Sequence, residues 1–159
     1  NPAEILTALD KGILKAFENS ESETNDGMDI SLVTIDETKK SLEFAGAYRP
    51  LLLIRNGNLT EYKSTKMSIG FKDVVDKHFE NNIIKYEKGD NIYMYSDGYP
   101  DQFGGPNNKK FKSRMMKNML IKTSIDDMEK QRDIVNESYL DWKGDFEQVD
   151  DILVAGIKF

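Results

Sequence analysis

The feature that most constrains the fold is a block of short strand-like segments joined by turns rather than by helices. Asn56-Gly57 predicts a tight hairpin inside this block, because both central residues of a type I′ turn need a positive φ. The first segment is apolar on both faces towards its end, so we expect it to be buried. The block predicts an antiparallel meander and disfavours the alternating strands and helices of a Rossmann-type sheet. Its segments are residues 28–35, 42–47, 50–55 and 59–62.

Helical patterns flank the strands. Residues 2–19 have apolar side chains at three- and four-residue spacing, with Asn1 as a capping residue and Pro2 at the first helical position. Two more helices are predicted, one from Lys109 and one over residues 125–142. The first has an apolar stripe of Phe111, Met115 and Met119, with Met116 and Leu120 beside it. Further strands are predicted at 83–86, 91–95 and 152–157, the last of them buried. Strands in one block with helices segregated from them indicate an α+β fold.

Acidic residues adjoin two of the apolar strands. Asn91–Tyr95 runs into Ser96-Asp97-Gly98, and Asp150-Asp151 precedes the last strand. A carboxylate at the end of a buried strand is costly to desolvate unless it is paired, hydrogen-bonded or bound to a cation. Ordinary turn chemistry is the alternative, since Asp-Gly is common in turns. The residues alone leave both interpretations open.

The composition excludes several function classes. The chain has no cysteine and one histidine, His78, which rules out thiolate sites, cysteine nucleophiles and histidine-rich metal sites. Any metal site must therefore use oxygen ligands, which suit hard cations such as Mg²⁺ or Mn²⁺. The net charge of −6 argues against nucleic-acid binding and against docking on anionic membranes. We expect a cytoplasmic domain with His78 at its surface, although upstream segments could anchor the parent protein to a membrane.

An ordered set of short motifs resembles the phosphatase domain of the SpoIIE/RsbU type, within the PP2C-like (PPM) serine/threonine phosphatases. The motifs occur in the family's order and cover nearly the whole chain, so the set is more specific than any one member. They are Gly27–Leu32, Leu42–Ala47 with Pro50–Leu53, Lys88–Asp90, Ile92–Gly98, Phe103-Gly104 and Gln148–Val154.

The resemblance implies one domain over residues 1–159, an α-β-β-α sandwich of two antiparallel sheets flanked by helices. It implies a dinuclear Mn²⁺ or Mg²⁺ centre whose bound water attacks a phosphoserine or phosphothreonine, without a side-chain nucleophile. Asp97 and Asp150 would bind one metal ion, and Gly98 would allow the close turn beside Asp97. Asp151 would lie behind the ligands or serve as an alternative ligand, because adjacent strand residues point in opposite directions.

The chain departs from the family pattern at its beginning. The family's Asp-Gly-Asp-like motif and its Gly-His-Gly turn, which supply the bridging aspartate and a carbonyl ligand, have no counterpart in the sequence. We therefore expect an N-terminally truncated phosphatase domain with little or no activity of its own; a natural short form without catalysis is the alternative. Missing strands would leave unpaired edges, which favours a homodimer or a domain swap.

The resemblance also indicates a partner. It implies a phosphorylated regulatory protein of the anti-sigma-factor antagonist type as substrate. Two rival interpretations are a non-catalytic partner-binding module with the same fold and an unrelated α+β domain.

Overall fold

The computed structural model describes residues 1–18, 27–71 and 77–159. Most of the predicted acidic loop at 19–27 and of the segment at 71–76 lies outside the described residues. In the described ranges, no helix is long and apolar enough to cross a membrane. The elements in chain order are α1 (Pro2–Glu18), β1 (Ile30–Asp36), β2 (Ser41–Ala47), β3 (Leu51–Arg55), β4 (Asn58–Tyr62), β5 (Asn82–Lys85), β6 (Asn91–Tyr95), α2 (Gly98–Asp101), β7 (Phe103–Gly104), β8 (Lys109–Lys110), α3 (Ser113–Thr123), α4 (Met128–Lys143) and β9 (Val154–Lys158).

The strands form antiparallel sheets, which confirms the predicted α+β class. The sheet orders are β1-β2-β5, β4-β3-β6-β9 and the small pair β7-β8. The hairpin at Asn56-Gly57 is also confirmed, because both residues have positive φ, 50° and 74°. The prediction of a single meander was wrong, because β2 pairs with β5 and β3 pairs with β6. Between β2 and β3, Tyr48 has a φ of 56° and the Arg49 N–H bonds back to Ala47, so the chain bends without closing a hairpin.

The chain divides into two compact units. Unit 1 comprises residues 1–51 and 61–87, and unit 2 comprises residues 52–60 and 88–159. The prediction that residues 1–159 form one domain stays a prediction.

In unit 1, α1 packs its apolar face on the sheet that contains β2. The helix begins as predicted, since the Asn1 side chain accepts a hydrogen bond from the Glu4 N–H at 3.0 Å. That bond satisfies one of the N–H groups that a helix start leaves open. The buried core consists of Ala3, Leu6, Ala45, Ala47, Ile69 and Phe79.

Unit 2 is built around β6. Every residue of this strand except Met94 is buried, as its apolar run predicts. The α4 helix begins after Asp127, whose side chain accepts a hydrogen bond from the Lys130 N–H, and ends at Lys143, just before Gly144 with a φ of 52°. The buried core consists of Leu52, Ile54, Tyr93, Tyr95, Tyr99, Phe111, Met116, Leu120 and Tyr139.

The two predicted helices begin later than expected. Lys109 and Lys110 pair with Phe103-Gly104, so the first helix starts at Ser113. Met116 and Leu120, predicted beside the stripe, are fully buried, and Met119 of the stripe packs against the core. Met115 is the exception, because 43% of its surface is exposed. The second helix starts at Met128 because Asp127 caps it, and Ile125 lies outside it with 84% of its surface exposed.

The prediction that the first and last strands are buried was also wrong. In the described sheets, β1 and β9 occupy end positions, so each has one neighbour in its sheet. Both strands contain only half-buried and exposed residues, with Ile35 39% and Ile157 38% exposed. An apolar sequence favours burial of a strand. How far the strand is buried depends on its position in the sheet.

The tyrosines of unit 2 predict a loss of stability at alkaline pH. Burial raises the pKa of Tyr93 and of Tyr99 to about 12, against about 10 in an unfolded chain. The folded state therefore holds these protons more tightly, and this stabilisation, complete below pH 10, is lost as the pH rises from about 10 to about 12. Urea midpoints measured over this range should fall steeply for the parent and less steeply for Tyr93→Phe. Equal slopes would contradict the assignment.

Candidate metal centre

Asp97 lies at the turn between β6 and α2. It has helical backbone angles, with φ −70° and ψ −19°, and its main-chain oxygen accepts a hydrogen bond from the Asp101 N–H at 2.9 Å. Its side chain is half-buried, whereas Gly98 and Tyr99 after it are buried. The buried β6 strand thus delivers the Asp97 carboxylate to the edge of the core, as the apolar run predicts.

The second acidic segment precedes β9. Asp150 and Asp151 are both exposed, and an Asp150 Oδ1 atom accepts a hydrogen bond from the Asp151 N–H at 2.7 Å. The premise that these acids adjoin a buried strand was therefore wrong, because β9 is half-exposed and begins only at Val154. Desolvation gives no reason for a cation beside Asp150 and Asp151.

Hydrogen bonds around Ser96 fasten the two segments together. The ladder between β6 and β9 ends at the pair Tyr95 and Val154. Beyond it, the Ser96 N–H donates to the Leu153 carbonyl at 3.0 Å, and the Ser96 hydroxyl donates to the Asp151 carbonyl at 2.8 Å. The Leu153 N–H in turn donates to Ser96 Oγ at 2.9 Å. The stretch that contains Asp97 therefore runs beside the stretch that contains Asp151.

Gly98 lies against the second acidic segment. A Cβ atom at this position would meet the Asp151 carbonyl oxygen at 2.4 Å and its carbon at 3.0 Å. These distances are too short for any side chain, so the close approach of the two segments requires glycine. The contact with Asp151 explains why the residue after Asp97 is a glycine.

Substituting Gly98 tests this close approach. We expect Gly98→Ala to lower the free energy of unfolding by about 1–3 kcal/mol, because the added methyl group must displace main-chain atoms. Gly12→Ala is the matched control, since nothing lies within 4 Å of a Cβ there and helical alanine is favoured by about 0.5–1 kcal/mol. Urea unfolding measures both. A Gly98→Ala variant as stable as the parent would contradict the geometry.

The oxygen atoms of these two segments could supply part of the ligand set of a hard cation. Carboxylate and carbonyl oxygens from two adjoining segments are the donor types that Mg²⁺ and Mn²⁺ select. In the part of the chain that the structure describes, no group of three or more Asp, Glu, His or Cys side chains could hold an ion. Water or substrate oxygens would complete the coordination. The assignment of Asp97, Asp150 and Asp151 as ligands stays a prediction.

Two polar side chains of this region received no role from the sequence. The Ser96 side chain hydrogen-bonds to the second acidic segment. Its position between a buried strand and Asp-Gly is the sequence signal that could have indicated this role. Gln102 is fully buried, and its side-chain amide donates to the Glu147 carbonyl at 2.8 Å. Nothing local predicts that contact, because 45 positions separate the two residues. His78 is exposed in unit 1, as expected.

Comparison with solved structures shows the fold of PP2C-type phosphatases. The SiaA-PP2C domain of Pseudomonas aeruginosa aligns with a TM-score of 0.88 and 27% identity, over 100% of this chain and 61% of that one. The phosphatase domain of the cell fate determinant SpoIIE from Bacillus subtilis, presoaked with Mn, aligns with a TM-score of 0.62 and 19% identity, over 98% and 70%. A serine/threonine phosphatase from S. agalactiae aligns with a TM-score of 0.63 and 15% identity, over 97% and 67%.

Sequence comparisons agree with the structural matches. No curated protein matches the chain. The family model described as Stage II sporulation protein E (SpoIIE) matches residues 1–159, which is the whole chain. The chain therefore belongs to the SpoIIE family, with a PP2C-like fold and structural neighbours that are serine/threonine phosphatases.

Proposed function

We propose that the protein is a metal-dependent protein serine/threonine phosphatase. The observation that carries this proposal is the fastening of the Asp97-Gly98 turn to the Asp150-Asp151 segment by Ser96. In a PP2C-like fold, this brings two acidic segments of unit 2 together at the end of β6.

Asp97 and Asp150 would hold a hard cation, Mn²⁺ or Mg²⁺. When bound, such an ion supplies Lewis-acid stabilisation of a phosphoryl group and activates water. The main-chain carbonyl of Asp151 accepts a hydrogen bond from Ser96, so its carboxylate would either support the ligands or serve as an alternative ligand. The Mn-presoaked relative is a structure of another protein, and it supports manganese as the first ion to test.

The family resemblance supports a proposal for the substrate class. We propose a phosphorylated regulatory protein of the anti-sigma-factor antagonist type, in a signalling pathway that controls a sigma factor. The chain spans 61% of the SiaA chain that it matches, so activity, substrate and partners are all proposals for the whole protein. Half-exposed apolar end strands, β1 and β9, support a homodimer or a domain swap.

The second candidate is a non-catalytic module that binds a partner protein. It is favoured by the exposure of Asp150 and Asp151 and by the lack of a three-acid cluster among residues 1–18, 27–71 and 77–159. In that case the acids serve as turn residues, and the protein would bind its partner whether or not Mn²⁺ is present.

Phosphate release separates the two candidates. The product of the complete gene and residues 1–159 alone would each be incubated with a phosphoserine protein substrate, with Mn²⁺ or with a chelator. We expect release by the complete product that needs Mn²⁺, and weak or no release by residues 1–159. No release by the complete product across phosphoserine and phosphothreonine substrates would favour the binding module.

A further inference from the structure

We infer that Ser96 is a positioning residue, which sets the spacing of Asp97 and Asp150 and thereby the affinity for the metal ion. The inference rests on the proposed function, since it concerns the same site. Ser96 does not touch the reacting atoms in this account; it acts through the main chain of the segment that carries Asp150.

The ladder of main-chain hydrogen bonds between β6 and β9 ends beside Ser96. Main-chain pairing runs as far as Tyr95 and Val154, and the Ser96 N–H then donates to the Leu153 carbonyl at 3.0 Å. The Leu153 N–H donates to the Ser96 side chain at 2.9 Å. At Asp97 the main chain leaves the sheet and enters α2. The Ser96 side chain accepts the bond from Leu153, so the residue just before β9 remains hydrogen-bonded to the residue just after β6.

The Ser96 hydroxyl also makes a second hydrogen bond, as a donor. Ser96 Oγ donates to the Asp151 carbonyl at 2.8 Å, two residues before Leu153. One hydroxyl thus accepts from Leu153 and donates to Asp151, so it spans the turn into β9. These two bonds fix the course of the main chain immediately after Asp150.

Gly98, on the other side of Asp97, also contacts Asp151. The position of a Gly98 Cβ is 2.4 Å from the same Asp151 carbonyl oxygen. Asp97 therefore lies between two residues that both contact Asp151, one by a hydrogen bond and one by close packing. A displacement of Asp151 must change where the adjacent Asp150 lies relative to Asp97.

These contacts predict a specific effect on metal binding. Ser96→Ala removes both hydroxyl bonds and leaves the acids in place, whereas Ser96→Thr keeps the hydroxyl. Loss of a residue that orients metal ligands typically weakens metal binding by about 10- to 100-fold. We expect a weakening of that order for Ser96→Ala and near-parental binding for Ser96→Thr.

The experiment uses the product of the complete gene and two readouts besides activity. Mn²⁺ binding is measured by electron paramagnetic resonance, and exchange of the Leu153 amide hydrogen is measured by NMR. Ser124→Ala is the control, because the Ser124 hydroxyl of unit 2 also donates to a main-chain carbonyl, that of Ile121 at 2.8 Å, and Ser124 is buried whereas Ser96 is half-buried. We expect faster Leu153 exchange and weaker Mn²⁺ binding in Ser96→Ala alone.

The outcomes distinguish this inference from the proposed function. Unchanged Leu153 exchange in Ser96→Ala would overturn the hydrogen-bonded geometry. Faster exchange with unchanged Mn²⁺ binding would overturn the positioning role while the proposed phosphatase stands. A parent protein that binds no Mn²⁺ would overturn both. Equal weakening of Mn²⁺ binding in Ser124→Ala would also contradict the inference, because the effect would then be general loss of stability.

Discussion

Asp10→Asn is expected to lower the free energy of unfolding of the chain by about 3–5 kcal/mol, because it leaves a buried lysine without its counter-charge. Lys77 Nζ donates to Asp10 Oδ1 at 2.7 Å, and the Gly70 N–H donates to the same oxygen at 2.7 Å. The Lys77 side chain is 1% exposed and that of Asp10 is 8% exposed, so water cannot solvate a remaining charge. Chemical unfolding followed by circular dichroism measures the loss.

An exposed pair provides the control for Asp10. Asp36 and Lys39 form a salt bridge of 3.0 Å with side chains that are 39% and 75% exposed. Exposed pairs contribute about 0–1 kcal/mol, so Asp36→Asn should have little effect. The double variant Asp10→Leu with Lys77→Met should recover part of the stability lost in Asp10→Asn, since an apolar pair needs no solvation. Equal small losses for Asp10→Asn and Asp36→Asn would contradict the buried pair.

Asp97→Asn is expected to reduce Mn²⁺-dependent phosphate release by about a hundredfold or more, since residues that merely support metal ligands already contribute 10- to 100-fold. The amide keeps the shape of the side chain but removes its negative charge. A hard cation requires that charge, because it binds carboxylate oxygens. Asp101→Asn is the matched control in the same segment, because its side chain is 48% exposed and pairs with Lys110 at 2.9 Å. Release rates at saturating Mn²⁺ compare the two variants.

Both variants should melt at nearly the parental temperature without added metal. A large drop for Asp97→Asn alone would indicate a structural role at the turn between β6 and α2. Parental activity of Asp97→Asn would remove Asp97 from the site.

Local patterns were sufficient where one short stretch decides the structure. The apolar run of β6 favours a buried strand, and the structure has one there. Asn56-Gly57 allows the positive φ values that its hairpin needs. The start of α1 was predictable for the same reason, because Asn1 and Glu4 make their capping contact within one turn.

Features that depend on distant parts of the chain could not be predicted. The half-exposure of β1 and β9 follows from sheet order, which no single segment encodes. The Lys77 and Asp10 pair joins residues 67 positions apart, and Ser96 meets Asp151 across 55 positions. The family resemblance indicated that Asp97 and Asp150 act together, but it gave no reason why Ser96 stands before Asp97.

The central claim is that the turn at Asp97 and the segment at Asp150 form one metal site. Its most direct test is phosphate release from a phosphoserine protein by the complete gene product, its Asp97→Asn and Asp150→Asn variants and the double variant, across a Mn²⁺ titration. We predict that each single variant loses nearly all Mn²⁺-dependent release, and that the double variant loses little more than either. Full activity of both single variants would contradict the claim.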